Sequence, residues 1–215
     1  MKNNILFLFI ISFFVYSCSN NQDELVNLDT VKKVVGDYYE SGRYDEECRV
    51  IIDDAFKKIK DVNLTKNSTV VFDIDETSLS NYNHIKEIGF GYCIEIWNEW
   101  LNKADGTALY HTKRFYDFLI SQNVRIAFIT GRYTSTREAT ITNLINQGYT
   151  QFDTLITRNE DELKIPATIF KAGKRRELAE LGYEIIANIG DQWSDLEGEY
   201  SGIKIKLPNY LYLID

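Results

Sequence analysis

The sequence predicts an α/β fold: a central parallel sheet, two helices ahead of it and a small helical insertion after its first strand. Three observations lead there. From Val124 onward, short apolar runs alternate with helical stretches that stop at Gly148 and Gly182, and such alternation builds parallel strands joined by right-handed crossovers. Val70-Val71-Phe72 reads as a buried strand that ends at two acids, Asp73 and Asp75. Residues 81–113 carry no strand patterning and interrupt the alternation.

Composition frames these elements. The chain has 215 residues, which suits one domain of ordinary size; 44% are hydrophobic and 13% aromatic, enough to bury a core. The formal net charge is −8, a poor match for a nucleic-acid polymer, whose phosphates call for clustered Lys and Arg. Cys18, Cys48 and Cys93 have the spacing of neither a disulfide framework nor a metal site. Cys48 and Cys93 read as small buried apolar residues, with an oxidised pair between them as the alternative.

Taken in order, the chain begins with Lys2 and an apolar run from Ile5 to Tyr16. The run is too short to span a bilayer, which takes about 20 residues, and has the layout of a secretory signal. Val15-Tyr16-Ser17-Cys18 resembles a bacterial lipoprotein signal, in which a small residue precedes the lipidated cysteine. Residues 1–17 are expected to be a signal peptide, with Cys18 lipidated, 18–28 a tether and 29–215 the folded domain. The implied location is the bacterial cell envelope, with the membrane touched only through the lipid anchor. A plain signal and secretion is the alternative.

Val31, Val34, Val35, Tyr38 and Tyr39 recur at helical spacing, with Asp29 or Thr30 as N-cap. A second helix places Tyr44, Cys48, Ile51, Ile52, Ala55, Phe56 and Ile59 on one face. After the strand at Val70–Phe72, residues 81–113 read as a helical cap in which Trp97, Trp100, Leu101 and Ala104 sit at helical offsets. Trp97 and Trp100 suit either cap packing or an aromatic wall over a binding site. His84 and His111 read as isolated surface residues. Strands are expected at 124–129, 154–156, 185–189 and, as an edge, 203–207, with helices at 139–145 and 174–181.

Chemistry-bearing residues collect where the strands end, the edge at which parallel sheets place their sites. Asp73 and Asp75 follow the first strand, and Thr130-Gly131-Arg132 follows the strand at 124–129. Lys171 follows the apolar stretch 167–170, and Asp191 and Asp195 follow the strand at 185–189. Each alone has a plainer reading: a helix cap, a solvated charge run, a turn. Together they deliver acids, a hydroxyl and a cation to one edge, an inventory suited to phosphoryl transfer. Two acids one residue apart at a buried strand end repel each other and resist desolvation. A divalent cation with hard oxygen ligands relieves both costs, and Mg²⁺ suits such ligands.

The pattern resembles the haloacid dehalogenase (HAD) superfamily of aspartate-based phosphatases. Within it the chain is similar to the acid phosphatases that include plant vegetative storage proteins and the bacterial class B and class C enzymes. The matching pieces are Phe72-Asp73-Ile74-Asp75-Glu76-Thr77, Ile129-Thr130-Gly131-Arg132, Phe170-Lys171, Asn188-Ile189-Gly190-Asp191-Gln192-Trp193-Ser194-Asp195 and Lys206-Leu207-Pro208-Asn209. The resemblance implies a HAD-like Rossmannoid three-layer sandwich with a Mg²⁺ cofactor. It implies Asp73 as nucleophile, forming an aspartyl-phosphate, and Asp75 as general acid/base. Thr130, Gly131 and Lys171 would bind phosphate. Asp73, Asp75 (through its main-chain carbonyl), Asp191 and Asp195 would hold the metal. The expected partner is a small phosphate monoester, a nucleoside monophosphate among the possibilities if Trp97 or Trp100 lines the mouth. A storage or binding protein on the same fold, and a phosphotransferase, are the alternatives.

Overall fold

The computed structural model describes residues 25–214. The signal segment and Cys18 lie outside the described residues. Helix α1 (Leu28–Glu40) is capped by Asn27, whose side chain accepts the Asp29 and Thr30 N–H groups. The cap therefore sits just before the expected Asp29 or Thr30, because only a residue ahead of the first turn can reach its free donors. Helix α2 (Arg43–Lys60) follows and buries Tyr44, Cys48, Ile52, Ala55 and Ile59.

Strand β1 (Ser68–Phe72) is buried along its whole length. A short strand β2 (Leu79–Ser80), helix α3 (Tyr82–Glu87), helix α4 (Ile94–Lys103) and strand β3 (Thr107–Ala108) form the inserted cap, and β2 pairs antiparallel with β3 across its base. Two residues per strand are too few to leave a period-2 signature, so neither is expected from sequence: β2 precedes the expected cap at 81–113 and β3 lies in what reads there as helical. Then come α5 (Tyr110–Ser121), β4 (Arg125–Tyr133), α6 (Arg137–Asn146), β5 (Thr154–Arg158), α7 (Ala167–Glu180), β6 (Glu184–Gly190), the single turn α8 (Trp193–Leu196) and β7 (Ile203–Lys206).

The main sheet is parallel throughout, in the order β5-β4-β1-β6-β7, with β7 at an edge as expected. Side chains alternate across β1, so Val70 and Phe72 join the layer built with α2 and α5, while Val71 packs with Phe170 and Leu178 of α7. The result is the three-layer α/β sandwich that the strand–helix alternation predicts. With β1 in the middle, the chain leaves for β4 on one side and β6 on the other. That creates a crevice at the carboxyl ends of these strands.

Three details depart from the sequence reading. Residues 167–170 are the first turn of α7 rather than a strand, because Pro166 sits at its N-terminal boundary, where a missing N–H costs nothing. Both histidines are 6% exposed rather than at the surface. His84 stacks on Trp100 with centroids 4.7 Å apart, and His111 meets Asp45 at 3.2 Å. Cys48 and Cys93 are both free thiols, the first buried and the second half-buried.

Candidate active site

The site is built outward from the end of β1. Past Phe72 the backbone curls tightly: the N–H groups of Thr77, Ser78 and Leu79 all donate to the Ile74 carbonyl. The curl needs a left-handed residue, and Glu76 takes that role at φ 54°. The Glu76 carboxylate secures the turn by accepting the Asn81 N–H at 2.6 Å and the Tyr212 hydroxyl at 2.6 Å. This loop sends Asp73 and Asp75 in different directions.

Asp73 faces Asp191 and Asp195. One carboxylate oxygen from each of the three lies within 4.8 Å of the others, and all three residues are buried. The Lys171 Nζ donates to Asp73 at 2.6 Å and also to Asp195. A sheet parallel across β1 and β6 explains the meeting, since Asp73 and Asp191 follow strands that pair directly. Gly190 is required beside them, because a Cβ there would fall on the Asp195 side chain. Asp195 also accepts the Gln192 N–H at 2.8 Å, Asn209 donates to Asp191 at 2.6 Å, and Thr77 donates to Asp191 at 3.0 Å.

Burial pushes Asp73 well above the usual carboxylate range; Lys171 pulls against that, and the neighbouring acids add to it. Burial, then the Asp195 charge, raises Asp191 to about 7. Burial, then Asp75, raises Glu76 to about 7. Lys171 resists its own burial because Asp195 and Asp73 hold its charge, so it stays above its ordinary value. One ammonium thus faces three crowded acids. A cation with hard oxygen ligands fits this donor set.

These shifts have a consequence for the metal-free protein. Asp191 and Glu76 hold protons more tightly folded than unfolded, so the native state binds extra protons between about pH 4 and about pH 7, and Asp73 is shifted in the same direction. Their stabilising contribution is present below the unfolded value and is lost as pH rises through the folded one. In chelator, melting temperature is therefore expected to fall from pH 5 to pH 8. Scanning calorimetry across that range checks it, and a rising curve would contradict the crowding of unneutralised acids.

Asp75 turns away from the acid cluster. Its carboxylate accepts Arg132 Nη2 at 2.7 Å and Nε at 3.1 Å, and Asn81 Nδ2 at 2.9 Å. Arg132 is itself anchored on Thr140 at 3.2 Å. Strand β4 shifts register between Ile129 and Tyr133, and this irregularity brings Gly131 to the crevice. Thr130 is fully buried, and its hydroxyl accepts the Arg132 N–H at 3.1 Å, leaving its own proton to donate.

Two cavities meet at these residues. The smaller, about 150 Å³, is lined by Asp73, Lys171, Asp191, Asp195 and Arg158 among others. The larger, about 470 Å³, lies under the cap and is lined by Trp97 and a set of aliphatic side chains. Asp75, Gly131, Tyr133, Tyr212 and Ile214 line both. Of the two cap tryptophans Trp97 lines the larger cavity, while Trp100 lines neither of these two, packs on His84 and donates to Asn81 at 2.8 Å.

Several participants escape a reading of the sequence. Arg158, the last residue of β5, lines the acid cavity with Nε and Nη2 buried and without a hydrogen-bond partner, its guanidinium 4.6 Å from the Phe170 ring centroid. A lone Arg after an edge strand gives no signal in sequence. Arg175 is fully buried, and its Nε, Nη1 and Nη2 donate to the carbonyls of Glu199, Asp195 and Glu197 respectively. It clamps the loop that carries Asp191 and Asp195. Lys206 donates to the Asp191 carbonyl at 2.6 Å.

Comparison with known proteins places this geometry. The family model for the HAD superfamily, subfamily IIIB (acid phosphatase), matches residues 15–215. Acid phosphatase 1 of Solanum lycopersicum is 31% identical over 188 residues, covering 84% of this chain and 73% of that protein. Vegetative storage protein 1 of Arabidopsis thaliana is 32% identical over 202 residues, covering 88% and 74%. The crystal structure of the class C acid phosphatase from Bacillus anthracis with tungstate bound superposes with a TM-score of 0.73 at 25% identity, covering 87% of each chain.

Proposed function

The chain belongs to subfamily IIIB of the HAD superfamily and is an acid phosphatase, and on that premise we propose that it hydrolyses small phosphate monoesters through a phosphoryl-Asp73 intermediate with Mg²⁺ as cofactor. The observation that carries the proposal is the pairing of two differently oriented acids across one threshold. Asp73 lies in the buried, charged cavity, and Asp75 lies where that cavity opens into the apolar one. The Bacillus anthracis relative was solved with tungstate, an oxyanion of phosphate's shape.

In this reading the ester phosphate enters the smaller cavity. There the Lys171 ammonium, the Arg158 guanidinium, the Thr130 hydroxyl and the Gly131 amide bind its oxygens. Asp73 attacks phosphorus with a carboxylate oxygen while the bond to the leaving oxygen breaks. Asp75, held in place by Arg132 and Asn81, gives its proton to that leaving oxygen. As a carboxylate it then takes a proton from the water that attacks phosphorus and frees Asp73. Asp73, Asp191 and Asp195, with the Asp75 carbonyl, would hold Mg²⁺, which when bound supplies positive charge against the phosphoryl oxygens.

Hydrolysis of an aryl phosphate by the chain lacking residues 1–18 tests the proposal. Turnover is expected with Mg²⁺ and is expected to vanish in chelator. No turnover of any aryl or alkyl phosphate would favour a storage or binding role, the reading that Vegetative storage protein 1 keeps open. Release of phosphate to an added alcohol in preference to water would favour a phosphotransferase.

The unpartnered guanidinium of Arg158 adds a further expectation. Arg158→Met should raise KM about tenfold with a smaller effect on kcat, the loss of one charge-assisted contact. Steady-state kinetics decides it, and an unchanged KM would remove Arg158 from the phosphate site. Lipidation of Cys18 and residence in a bacterial envelope rest on the apolar run from Ile5 to Tyr16 and the Ser17-Cys18 junction that follows it. Among the described residues no helix is long and apolar enough to cross a membrane. Labelling with a palmitate analogue that fails on Cys18→Ser would support the anchor.

A further inference from the structure

We infer that Trp100, in the cap helix α4, is a positioning residue for the proton donor: through Asn81 it holds Oδ1 of Asp75 in place, so that Oδ2 carries the proton for the leaving group. The inference rests on the phosphatase reading above and adds to it a residue that lines neither cavity.

The first support is the unequal grip on the two oxygens of Asp75. Oδ1 accepts Arg132 Nη2 at 2.7 Å, Asn81 Nδ2 at 2.9 Å and Arg132 Nε at 3.1 Å. Among the described residues Oδ2 accepts only Arg132 Nε, also at 3.1 Å. That nitrogen does not distinguish the oxygens, so the asymmetry comes from Nη2 and from Asn81. A protonated carboxyl keeps its hydrogen on the oxygen that faces fewer donors. Oδ1 is the anchor and Oδ2 the oxygen that gives up the proton.

The second is the use to which Asn81 is put. It stands at the N-cap of α3, where an Asn side chain ordinarily accepts backbone N–H groups, yet it makes no such bond. Its Oδ1 instead accepts the Trp100 indole N–H at 2.8 Å. Its Nδ2 donates to Asp75 at 2.9 Å and to Glu76 at 3.3 Å. An indole can only donate and an ionised carboxylate can only accept, so one orientation of the amide alone satisfies both sides. Asn81 is 1% exposed, and water is no substitute partner for either end.

The third is how the indole is aimed. Its ring lies on buried His84 with the two planes 1° apart, so packing within the cap sets the direction of the N–H. Trp100 and Asn81 thus join the cap to the loop that carries Asp75. Trp97, three residues earlier in α4, lines the larger cavity. One turn of helix both walls that cavity and steadies the proton donor.

The experiment compares Trp100→Phe with the parent on methyl phosphate, whose leaving oxygen needs a proton, and on a nitrophenyl ester, whose leaving oxygen does not. Phenylalanine keeps a ring against His84 and removes the donor. The quantity read is kcat/KM, which reports formation of the phosphoryl-enzyme. For methyl phosphate it is expected to fall about tenfold, part of the 10²- to 10⁴-fold that a placed proton donor supplies, and for the nitrophenyl ester to stay within about twofold. Asn81→Ala removes the relay, and Trp100→Phe added to it is expected to cost methyl phosphate nothing further, because the two residues act in series. Equal losses on the two esters, no loss on methyl phosphate, or losses that add in the double variant overturn the inference and leave the phosphatase reading intact. Should Asn81→Ala not fold, the two esters with Trp100→Phe decide alone. No turnover of either ester by the parent would fail the phosphatase reading and this inference with it.

Discussion

Asp73→Asn is expected to lower turnover of every phosphate ester by about 10⁴-fold or more, the scale on which losing a nucleophile is felt. The amide keeps the shape of the side chain but has no anionic oxygen with which to attack phosphorus. Its effect on folding should run the other way. Asp73 is one of three clustered buried acids, shares the Lys171 ammonium with Asp195, and is already pushed well up in proton affinity by burial. Removing that crowded charge relieves desolvation and repulsion among the acids, so in chelator the variant should melt no lower than the parent. Loss of activity with retained stability is the signature of a reacting group. Turnover within tenfold of the parent would remove Asp73 from the chemistry.

Asp75→Asn is expected to cost about 10²- to 10⁴-fold in kcat for alkyl esters, the usual worth of a positioned proton donor. The loss should be smallest for a nitrophenyl ester, whose leaving oxygen departs without a proton. That dependence separates proton transfer from mere damage. Some damage is expected too, because Arg132 is buried and its main carboxylate partner becomes a neutral amide. Loss of a charged hydrogen-bond partner at a buried site costs about 1–3 kcal/mol. A purely structural role would lower all esters by the same factor. A leaving-group series measured on parent and variant decides between them, and parallel lines would contradict the assignment.

Much of this site is legible in the chain, for a physical reason. Strands buried on both faces must be continuous apolar runs, so the acids after Phe72 and Ile189 stand out as an abrupt change. The sheet then brings Asp73 and Asp191 together because β1 and β6 are neighbours. Other features hide because helix and strand look alike over four apolar residues. Lys171 lies in α7 rather than after a strand. The run Lys171, Lys174, Arg175, Arg176 looks like one solvated face, yet helical geometry divides it. Positions 171 and 175 share a face and turn inward, Lys171 to the acids and Arg175 to three carbonyls. Lys174 pairs with Glu162 at 2.9 Å and Arg176 with Glu199 at 2.7 Å, outside the acid cluster.

The cap and the C-terminal segment are harder still. Their roles depend on contacts between residues far apart in sequence, such as Tyr212 with Glu76 or Trp100 with Asn81. No local pattern encodes such pairs. His84 is a case in point: a single histidine in a polar stretch, buried only because α4 lays Trp100 over it.

The phosphoryl-enzyme itself gives the most direct test. With Asp75→Asn and a nitrophenyl ester, formation of the intermediate needs no proton donor while its hydrolysis still lacks a base, so it should accumulate. Acid quenching followed by mass spectrometry of the digested protein is expected to find one phosphoryl group on the peptide that carries Asp73. Turnover with no phosphoryl group on that peptide, or with one on another residue, would contradict the account.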